Sequence, residues 1–409
     1  MNEQADVVIV GAGHAGLAVS HELTQTGVSH VILEKGQIGQ TWRGWWDSFC
    51  LMTPNWNVQL PGHRYEGPDP DGFMDRDDVV SFLESYASRF DAPVREGVDV
   101  TALRPAGSGF VLETSAGEIA TSTVVLSTGA YQRSWRPPEA ATLPADVVQM
   151  DAQDYRHPAG LPAGPVLVVG SGQSGCQIAE ELREAGRDVL VACGRAPWLP
   201  RRIGDRDAVW WALETGFFDA PLSSLPSPGA RFGANVQASG TNGGHDLHFR
   251  TLHAMGVTLL GRFEGAEGHR ARFAPDLEET VGWADERHGQ LMALIRKVAA
   301  ERGLPAPQIR QPEPFSADPP EHVDLDGFGA VIFATGFRPE YASWVHIPGA
   351  FDELGFPIHH EGASTVVPGL YFVGVHFLRK RKSALFIGAC EDAPIVAGQI
   401  AARHTPSVA

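Results

Sequence analysis

Cysteine is scarce in this chain. The four present among 409 residues are Cys50, Cys176, Cys193 and Cys390, and no two of them form a C-x-x-C pair. This excludes a thioredoxin-type dithiol relay and a cysteine-ligated zinc site of standard spacing. Isolated thiols fit a reducing compartment, so a cytoplasmic location is expected. Long apolar runs are lacking as well: nothing approaches the ~18 consecutive residues that span a bilayer. Residues 1–6 show no basic segment leading into an apolar stretch and a cleavage site, so a secretory leader is not expected. Positive charge is in short supply, with 32 Lys and Arg against 49 Asp and Glu and a formal net charge of −17. A surface of that sign repels nucleic acid and anionic membranes, and neither is an expected partner. Any anionic ligand must be held by local devices, namely helix N-termini and a few arginines.

What is present is ordinary globular composition, 43% hydrophobic, and a length that accommodates two or three cores. Val7-Val8-Ile9-Val10 reads as a fully buried parallel strand. It enters Gly11-Ala12-Gly13-His14-Ala15-Gly16, then a helix with Leu17, Val19 and Leu23 on its apolar side. His30-Val31-Ile32-Leu33 returns as a strand ending at Glu34. The pattern recurs: Val166-Leu167-Val168-Val169, then Gly170-Ser171-Gly172-Gln173-Ser174-Gly175, a helix with Ile178, Ala179 and Leu182, and the strand at 188–192. Two βαβ units of one type predict an α/β fold with two Rossmann-like dinucleotide-binding domains, the second inserted into the first. The Pro- and Ala-rich stretch 136–165 reads as the linker. The expected bounds are 1–160 and 330–409 for the first domain and 161–329 for the second, with an inserted segment at about 201–309. Within that segment 289–300 reads as helix. Two more buried strands, at 330–336 and 370–374, and a last helix over 389–402 close the chain.

In each G-x-G-x-x-G the first glycine permits a tight turn, the second admits a pyrophosphate to the backbone, and the third lets helix and strand pack closely. The helix start then presents free N–H groups to the phosphates. Gly11, Gly13 and Gly16 have this spacing, and Glu34 stands roughly 20 residues on, where a carboxylate holds ribose hydroxyls. That suits FAD or NAD. Gly170, Gly172 and Gly175, with Gln173 and Ser174 between them, form the second turn. Its acid position is taken by Cys193, followed by Gly194 and Arg195. With no carboxylate to repel a 2′-phosphate, and with Arg195, Arg201 and Arg202 at hand, NADPH is favoured over NADH. A flavin at one site and a nicotinamide at the other would face as hydride acceptor and donor.

Further segments carry a resemblance. Gly39-Gln40-Thr41-Trp42 is similar to a G-G-T-W segment, Ser127-Thr128-Gly129 and Ala334-Thr335-Gly336 to two A-T-G turns, and Gly369-Leu370-Tyr371-Phe372-Val373-Gly374 to a closing flavin segment. Over nearly its whole length the chain resembles the two-dinucleotide-binding flavin monooxygenases, which include flavin-containing monooxygenases, Baeyer–Villiger enzymes and amine N-hydroxylases. The resemblance implies FAD at the first site, touched also by Thr41, Trp42, Thr128, Gly129 and Gly374. It implies NADPH at the second, near Thr335 and Gly336. It makes the loop from Leu51 to Pro61 a neighbour of the isoalloxazine, with Asn55 supporting oxygenated flavin and nicotinamide and Gln59 contacting the ring. The implied activity is reduction of FAD by NADPH, formation of a C4a-oxygenated flavin and transfer of one oxygen atom to an amine nitrogen or a sulfur. The implied partners are a small-molecule substrate and dioxygen; a homodimer is left open.

One departure keeps a second activity open, an NADPH oxidase or reductase without oxygen transfer. Family members carry F-x-G-x-x-x-H-x-x-x-[YF] before the second glycine motif. Aligned on Tyr155, this chain has Ala145, Val147 and Asp151 in place of Phe, Gly and His. Other conspicuous residues have plainer expected roles. Gly243-Gly244-His245-Asp246-Leu247-His248 fits no zinc spacing and reads as a Gly-Gly turn capping a helix with Asp in its first turn. Arg379-Lys380-Arg381-Lys382 reads as a charged loop. His376 either approaches the flavin or is a satisfied polar side chain. Trp210, Trp211, Phe217 and Phe218 read as core before pocket. The last helix is expected to aim its N-terminus at the flavin's carbonyl edge.

Overall fold

Two buried strands feeding glycine turns set the architecture. The structure, a computed structural model, describes residues 3–308 and 311–404. β1 (Glu3–Val10), α1 (His14–Gln25) and β2 (His30–Glu34) form the first βαβ unit, with β1 and β2 parallel. α2 (Arg76–Arg89) starts at Asp75, whose side chain accepts the Asp78 N–H. β3 (Val94–Glu96) adds parallel to β2. β4 (Val100–Ala106), β5 (Gly109–Thr114) and β6 (Gly117–Leu126) make an antiparallel meander, and β6 also pairs in parallel with β1.

The chain then crosses to a second sheet. β7 (Gln149–Asp151) and β8 (Val166–Val169) precede α3 (Gln173–Glu184) and β9 (Val189–Ala192). After α4 (Phe249–Ala254) come β10 (Thr258–Leu260), the long α5 (Leu277–Glu301) and β11 (Ala330–Phe333). These five strands are all parallel, in the order β7-β11-β8-β9-β10. β12 (Leu370–Phe372) then returns to the first sheet beside β6, and α6 (Phe386–His404) covers it.

Two Rossmann-like units are therefore present, as expected. Two strands fall on unexpected sides of the sequence boundaries. β7, within 1–160, belongs to the second sheet, and so does β11, so the return to the first unit begins only after Phe333. β7 is three residues at a sheet edge, too short and mixed in polarity to show a periodic signal. β10 likewise makes part of 201–309 a strand of the second sheet. α5 starts well before 289 because Gly282 and Gly289 lie on its exposed side, where each costs about 1 kcal/mol without breaking the helix. The two crossings run side by side: Arg133–Ser134 pairs antiparallel with Phe337–Arg338, and the Trp135 N–H donates to the Gly336 carbonyl at 2.9 Å. The Thr335 hydroxyl adds a bond to the Trp135 carbonyl. Among the described residues no helix is long and apolar enough to cross a membrane.

Candidate functional site

β1 delivers Gly11 at φ 104°, a conformation that needs glycine. Ser127 closes the turn from behind, its hydroxyl donating to the carbonyls of Val10 at 2.7 Å and Gly11 at 2.9 Å. A Cβ on Gly16 would stand 2.1 Å from the Gly11 carbonyl oxygen, so helix and turn pack this closely only with glycine there. Gly13 is different. It is the N-cap of α1, at φ −80°, and a Cβ on it would meet nothing within 4 Å. The space beside it is open and faces the free N–H groups of the helix start, the geometry that receives a pyrophosphate. Glu34 is buried, and its two oxygens accept the N–H groups of Ala12 at 2.8 Å and Gly36 at 2.9 Å. The carboxylate is thereby fixed beside the turn with lone pairs to spare for ribose hydroxyls.

Other sequence-predicted residues gather around this turn. A Cβ on Gly374 would lie 2.7 Å from that of Ala15. The Gln132 amide donates to Thr128 Oγ1 at 2.9 Å and the Gly129 carbonyl at 2.7 Å, holding the first Thr-Gly turn. Trp42 stacks on Phe386 at the start of α6, with ring centroids 5.7 Å apart, while Thr41 is exposed. His14 is a residue that the sequence reading missed, since it occupies a variable position of the motif. Its Nε2 lies 3.2 Å from the Ala384 carbonyl and its ring 4.8 Å from Phe386, joining the glycine turn to the start of the last helix. Burial pushes its pKa down to about 4, so the imidazole is neutral at pH 7.

Asn55 and Gln59 lie on a loop clamped from both sides. The Asn55 N–H donates to the Gly72 carbonyl at 2.9 Å, and its Nδ2 donates to the Asp69 carbonyl at 2.9 Å. Asn55 is 5% exposed and its Oδ1 is buried with no hydrogen-bond partner. A buried acceptor left unpaired costs about 1–3 kcal/mol, a cost that a hydrogen-bond donor brought by a ligand would remove. Gln59 is half-buried and opens the short strand Gln59–Leu60. The other side of the loop meets the second unit. Arg201 Nη1 donates to the Met52 carbonyl at 2.8 Å, its guanidinium lies 4.6 Å over the Phe73 ring, and a Cβ on Gly240 would stand 1.9 Å from the Leu51 carbonyl oxygen.

The second turn repeats the first. Gly170 has φ 106°, and a Cβ on Gly175 would stand 2.0 Å from the Gly170 carbonyl oxygen. The backbone of Ala334 backs this turn as Ser127 backs the other, and it leads directly to Thr335 and Gly336. Gly172 is the N-cap of α3, its would-be Cβ meeting only Ala234 at 3.8 Å. A strap crosses here that was not legible beforehand. The Gln173 amide exchanges two hydrogen bonds with the Ala238 backbone, and the fully buried Gln237 donates to the Ser171 carbonyl at 2.6 Å. Ser174 is half-buried in the first turn of α3. Cys193 is buried at the acid position, and Arg195 is exposed, paired with Glu279 at 2.7 Å. An exposed pair of this kind is worth about 0–1 kcal/mol, so releasing Arg195 to a phosphate costs little.

Three sequence expectations are corrected. Arg201 is no phosphate partner. It is 2% exposed and forms a two-point ion pair with the buried Asp207, and Asp246 Oδ1 accepts its N–H. The basic run 379–382 is no free charged loop. Arg379 pairs with Glu361 and Asp392, and Lys380 and Lys382 share Asp219 and Glu391. These partners are remote in sequence, so the run looked unpaired. The helix after Gly243-Gly244 is capped by His248, not by the glycines, and Asp246 lies outside its first turn. No group of three or more potential metal ligands occurs among the described residues. Burial raises all four thiols, Cys50 and Cys176 to about 12, so none is a thiolate at neutral pH.

Comparison with known proteins fits this geometry. The Pyridine nucleotide-disulphide oxidoreductase family model matches residues 8–207. The chain is 31% identical over 403 residues to a CzcO-like oxidoreductase of Geobacillus kaustophilus (strain HTA426), covering 98% of this chain and 99% of that one. The chain belongs to the CzcO-like oxidoreductases. It is also similar to a probable indole-3-pyruvate monooxygenase, YUCCA1 of Arabidopsis thaliana, with 26% identity over 407 residues, 96% of this chain and 89% of the other. A solved flavin-containing monooxygenase from Stenotrophomonas maltophilia shares the fold, with a TM-score of 0.67 at 19% identity over 98% of this chain and 100% of that one. This chain is thus an FAD- and pyridine nucleotide-dependent oxidoreductase.

Proposed function

We propose that this oxidoreductase is an NADPH-dependent flavin monooxygenase that places one atom of dioxygen on an amine nitrogen or a sulfur of a small organic substrate. FAD is assigned to Gly11, Gly13, Gly16 and Glu34, with Thr41, Trp42, Thr128, Gly129 and Gly374 around it. NADPH is assigned to Gly170, Gly172, Gln173, Ser174 and Gly175, with Arg195, Thr335 and Gly336. Bound FAD supplies two-electron chemistry, accepting hydride from NADPH and reacting with dioxygen. The protein supplies position and shelter. The observation that carries the reading is Asn55: a neutral, buried amide with an unpaired oxygen, on a turn fixed by Gly72 and Asp69 and backed by Arg201 of the second unit. A group of this kind donates or accepts a hydrogen bond without releasing a proton. Its similarity in sequence to the YUCCA monooxygenase, and in fold to the Stenotrophomonas enzyme, supports the same reading.

The oxidase or reductase reading shares both cradles. What favours it is Asp151, which pairs with Arg136 at 2.6 Å where the resembled family has histidine. The two readings part on coupling. In the FAD-loaded enzyme, Asn55→Ala is expected to raise the hydrogen peroxide formed per NADPH oxidised several-fold while flavin content stays unchanged. If wild type already returns all its NADPH as peroxide with every amine and sulfide offered, the oxidase reading stands instead. Arg195→Gln is expected to raise KM for NADPH at least about tenfold and leave NADH unaffected, since a charge-assisted bond to phosphate is worth roughly 1.5–3 kcal/mol. Equal changes for both nucleotides would remove Arg195 from the site.

A further inference from the structure

The strap formed by residues 234–245 touches both the second glycine turn and the loop that carries Asn55. On the turn side it is anchored by side chains. Gln237 is fully buried, and its Nε2 donates to the carbonyl of Ser171, between Gly170 and Gly172, at 2.6 Å. The Ala238 N–H donates to Gln173 Oε1 at 3.2 Å, and the Gln173 amide donates back to the Ala238 carbonyl. His245 Nε2 lies 2.6 Å from Oε1 of Glu180, which is buried on α3. Ala234 begins the strap beside Gly172, its Cβ 3.8 Å from where a Cβ on that glycine would stand. A pyrophosphate received at Gly172 would therefore lie against the strap as well as against the helix start.

On the other side the strap ends in a closed loop. Ser239 and His245 exchange two backbone hydrogen bonds, at 3.1 and 3.3 Å, which leaves residues 240–244 as its tip. Gly240 of the tip meets Leu51, with 1.9 Å between a would-be Cβ and the Leu51 carbonyl oxygen. Gly244 meets Phe73, with 2.6 Å between a would-be Cβ and the ring. Gly240 sits at φ −99° and ψ −12°, a turn conformation open to any residue, so glycine is needed there for the close approach alone. Leu51 and Phe73 belong to the two segments whose hydrogen bonds hold Asn55. The Leu51 N–H donates to the Met74 carbonyl and the Asn55 N–H to the Gly72 carbonyl, each at 2.9 Å. Turn, strap and Asn55 clamp are thus joined by a contiguous run of contacts, the physical condition for one site to bias the other.

We infer that the strap is a positioning element: Gln237 and Gly240 transmit occupancy of the second turn to the Asn55 clamp, so that a bound nicotinamide dinucleotide steadies Asn55. The inference rests on the assignment of NADPH to the second turn and adds to it a regulation of the flavin-side loop. Its test needs neither oxygen nor turnover. FAD-loaded protein is saturated with NADP⁺, which has no hydride to give, and amide hydrogen exchange is followed in peptides covering 170–177 and 50–57. In wild type NADP⁺ is expected to slow exchange in both, at least about fivefold in 50–57. Gly240→Val forces the tip off Leu51, and Gln237→Met keeps the size of its side chain but loses the bond to Ser171. In both variants NADP⁺ is expected to slow 170–177 and leave 50–57 unchanged. Coupling is reciprocal, so Gly240→Val is also expected to bind NADP⁺ more weakly by the factor lost at the loop. Either variant decides alone, since they act at opposite ends of the strap. A strap that served only the fold would leave 50–57 indifferent to NADP⁺ in wild type. The inference is overturned by that result, or if either variant still protects 50–57 as wild type does. NADP⁺ that binds without protecting 170–177 contradicts the NADPH assignment and overturns the inference with it. Coupled protection in an enzyme that yields only peroxide would contradict the monooxygenase reading and leave this one standing.

Discussion

Gly13→Val is expected to give a folded protein that purifies without flavin. The three glycines of the motif are glycine for different reasons. Gly11 and Gly16 are required by the fold, the first by its φ of 104° and the second by the 2.1 Å between its would-be Cβ and the Gly11 carbonyl oxygen. Gly13 is required by neither: its φ of −80° suits any residue, and no atom lies within 4 Å of a Cβ there. Its glycine has meaning only for a ligand that comes to the backbone at the start of α1. A valine side chain would fill that space, and FAD affinity is expected to fall by more than about 100-fold, roughly 2.8 kcal/mol. Gly172→Val makes the complementary case, keeping its yellow colour and losing NADPH binding. Thermal melts check the fold, and flavin absorbance per protein checks the cofactor. Normal flavin content in Gly13→Val would mean that FAD lies elsewhere.

The second large effect is predicted at Arg201. Its side chain and that of Asp207 are 3% and 5% exposed, and they meet through two hydrogen bonds. Removing one partner strands the other's charge in the interior, which costs about 3–5 kcal/mol. Arg201→Ala is therefore expected to lower the melting temperature by about 10 °C. The double variant Arg201→Met with Asp207→Leu removes both charges and is expected to recover most of that loss. It should not recover coupling, because the Met52 carbonyl still lacks its donor and the Asn55 loop its backing. Melting curves and peroxide yield separate the two effects. A single variant as stable as wild type would show that the pair is not a buried charge pair in solution.

Much of the fold was legible because the decisive signals are local. A glycine at positive φ, a run such as Val166 to Val169, and an acid at a strand end each act on their immediate neighbours. Strand order is not local: nothing in Gln149-Met150-Asp151 announces that it will lie beside β11, and the assignment of β11 to the second sheet depends on a partner far upstream. The site divides in the same way. Glu34 follows from spacing, whereas Asn55 and Gln59 came from family resemblance. Arg201 was misread because its nearness to Arg195 in sequence says nothing of its burial against Asp207. The basic run was misread because Asp219, Glu361, Glu391 and Asp392 reach it only through tertiary folding. His14, Gln237 and the strap over the second turn carry no sequence signal of their own.

On this reading the two cradles serve oxygen transfer. The direct test reduces FAD-loaded enzyme with NADPH under anaerobic conditions, mixes it with oxygenated buffer without substrate, and follows flavin absorbance and hydrogen peroxide over time. A spectral phase distinct from oxidised and reduced flavin is expected to persist with little peroxide, and Asn55→Ala is expected to shorten it. Direct return to oxidised flavin with stoichiometric peroxide, unchanged when amines and sulfides are added, would contradict oxygen transfer.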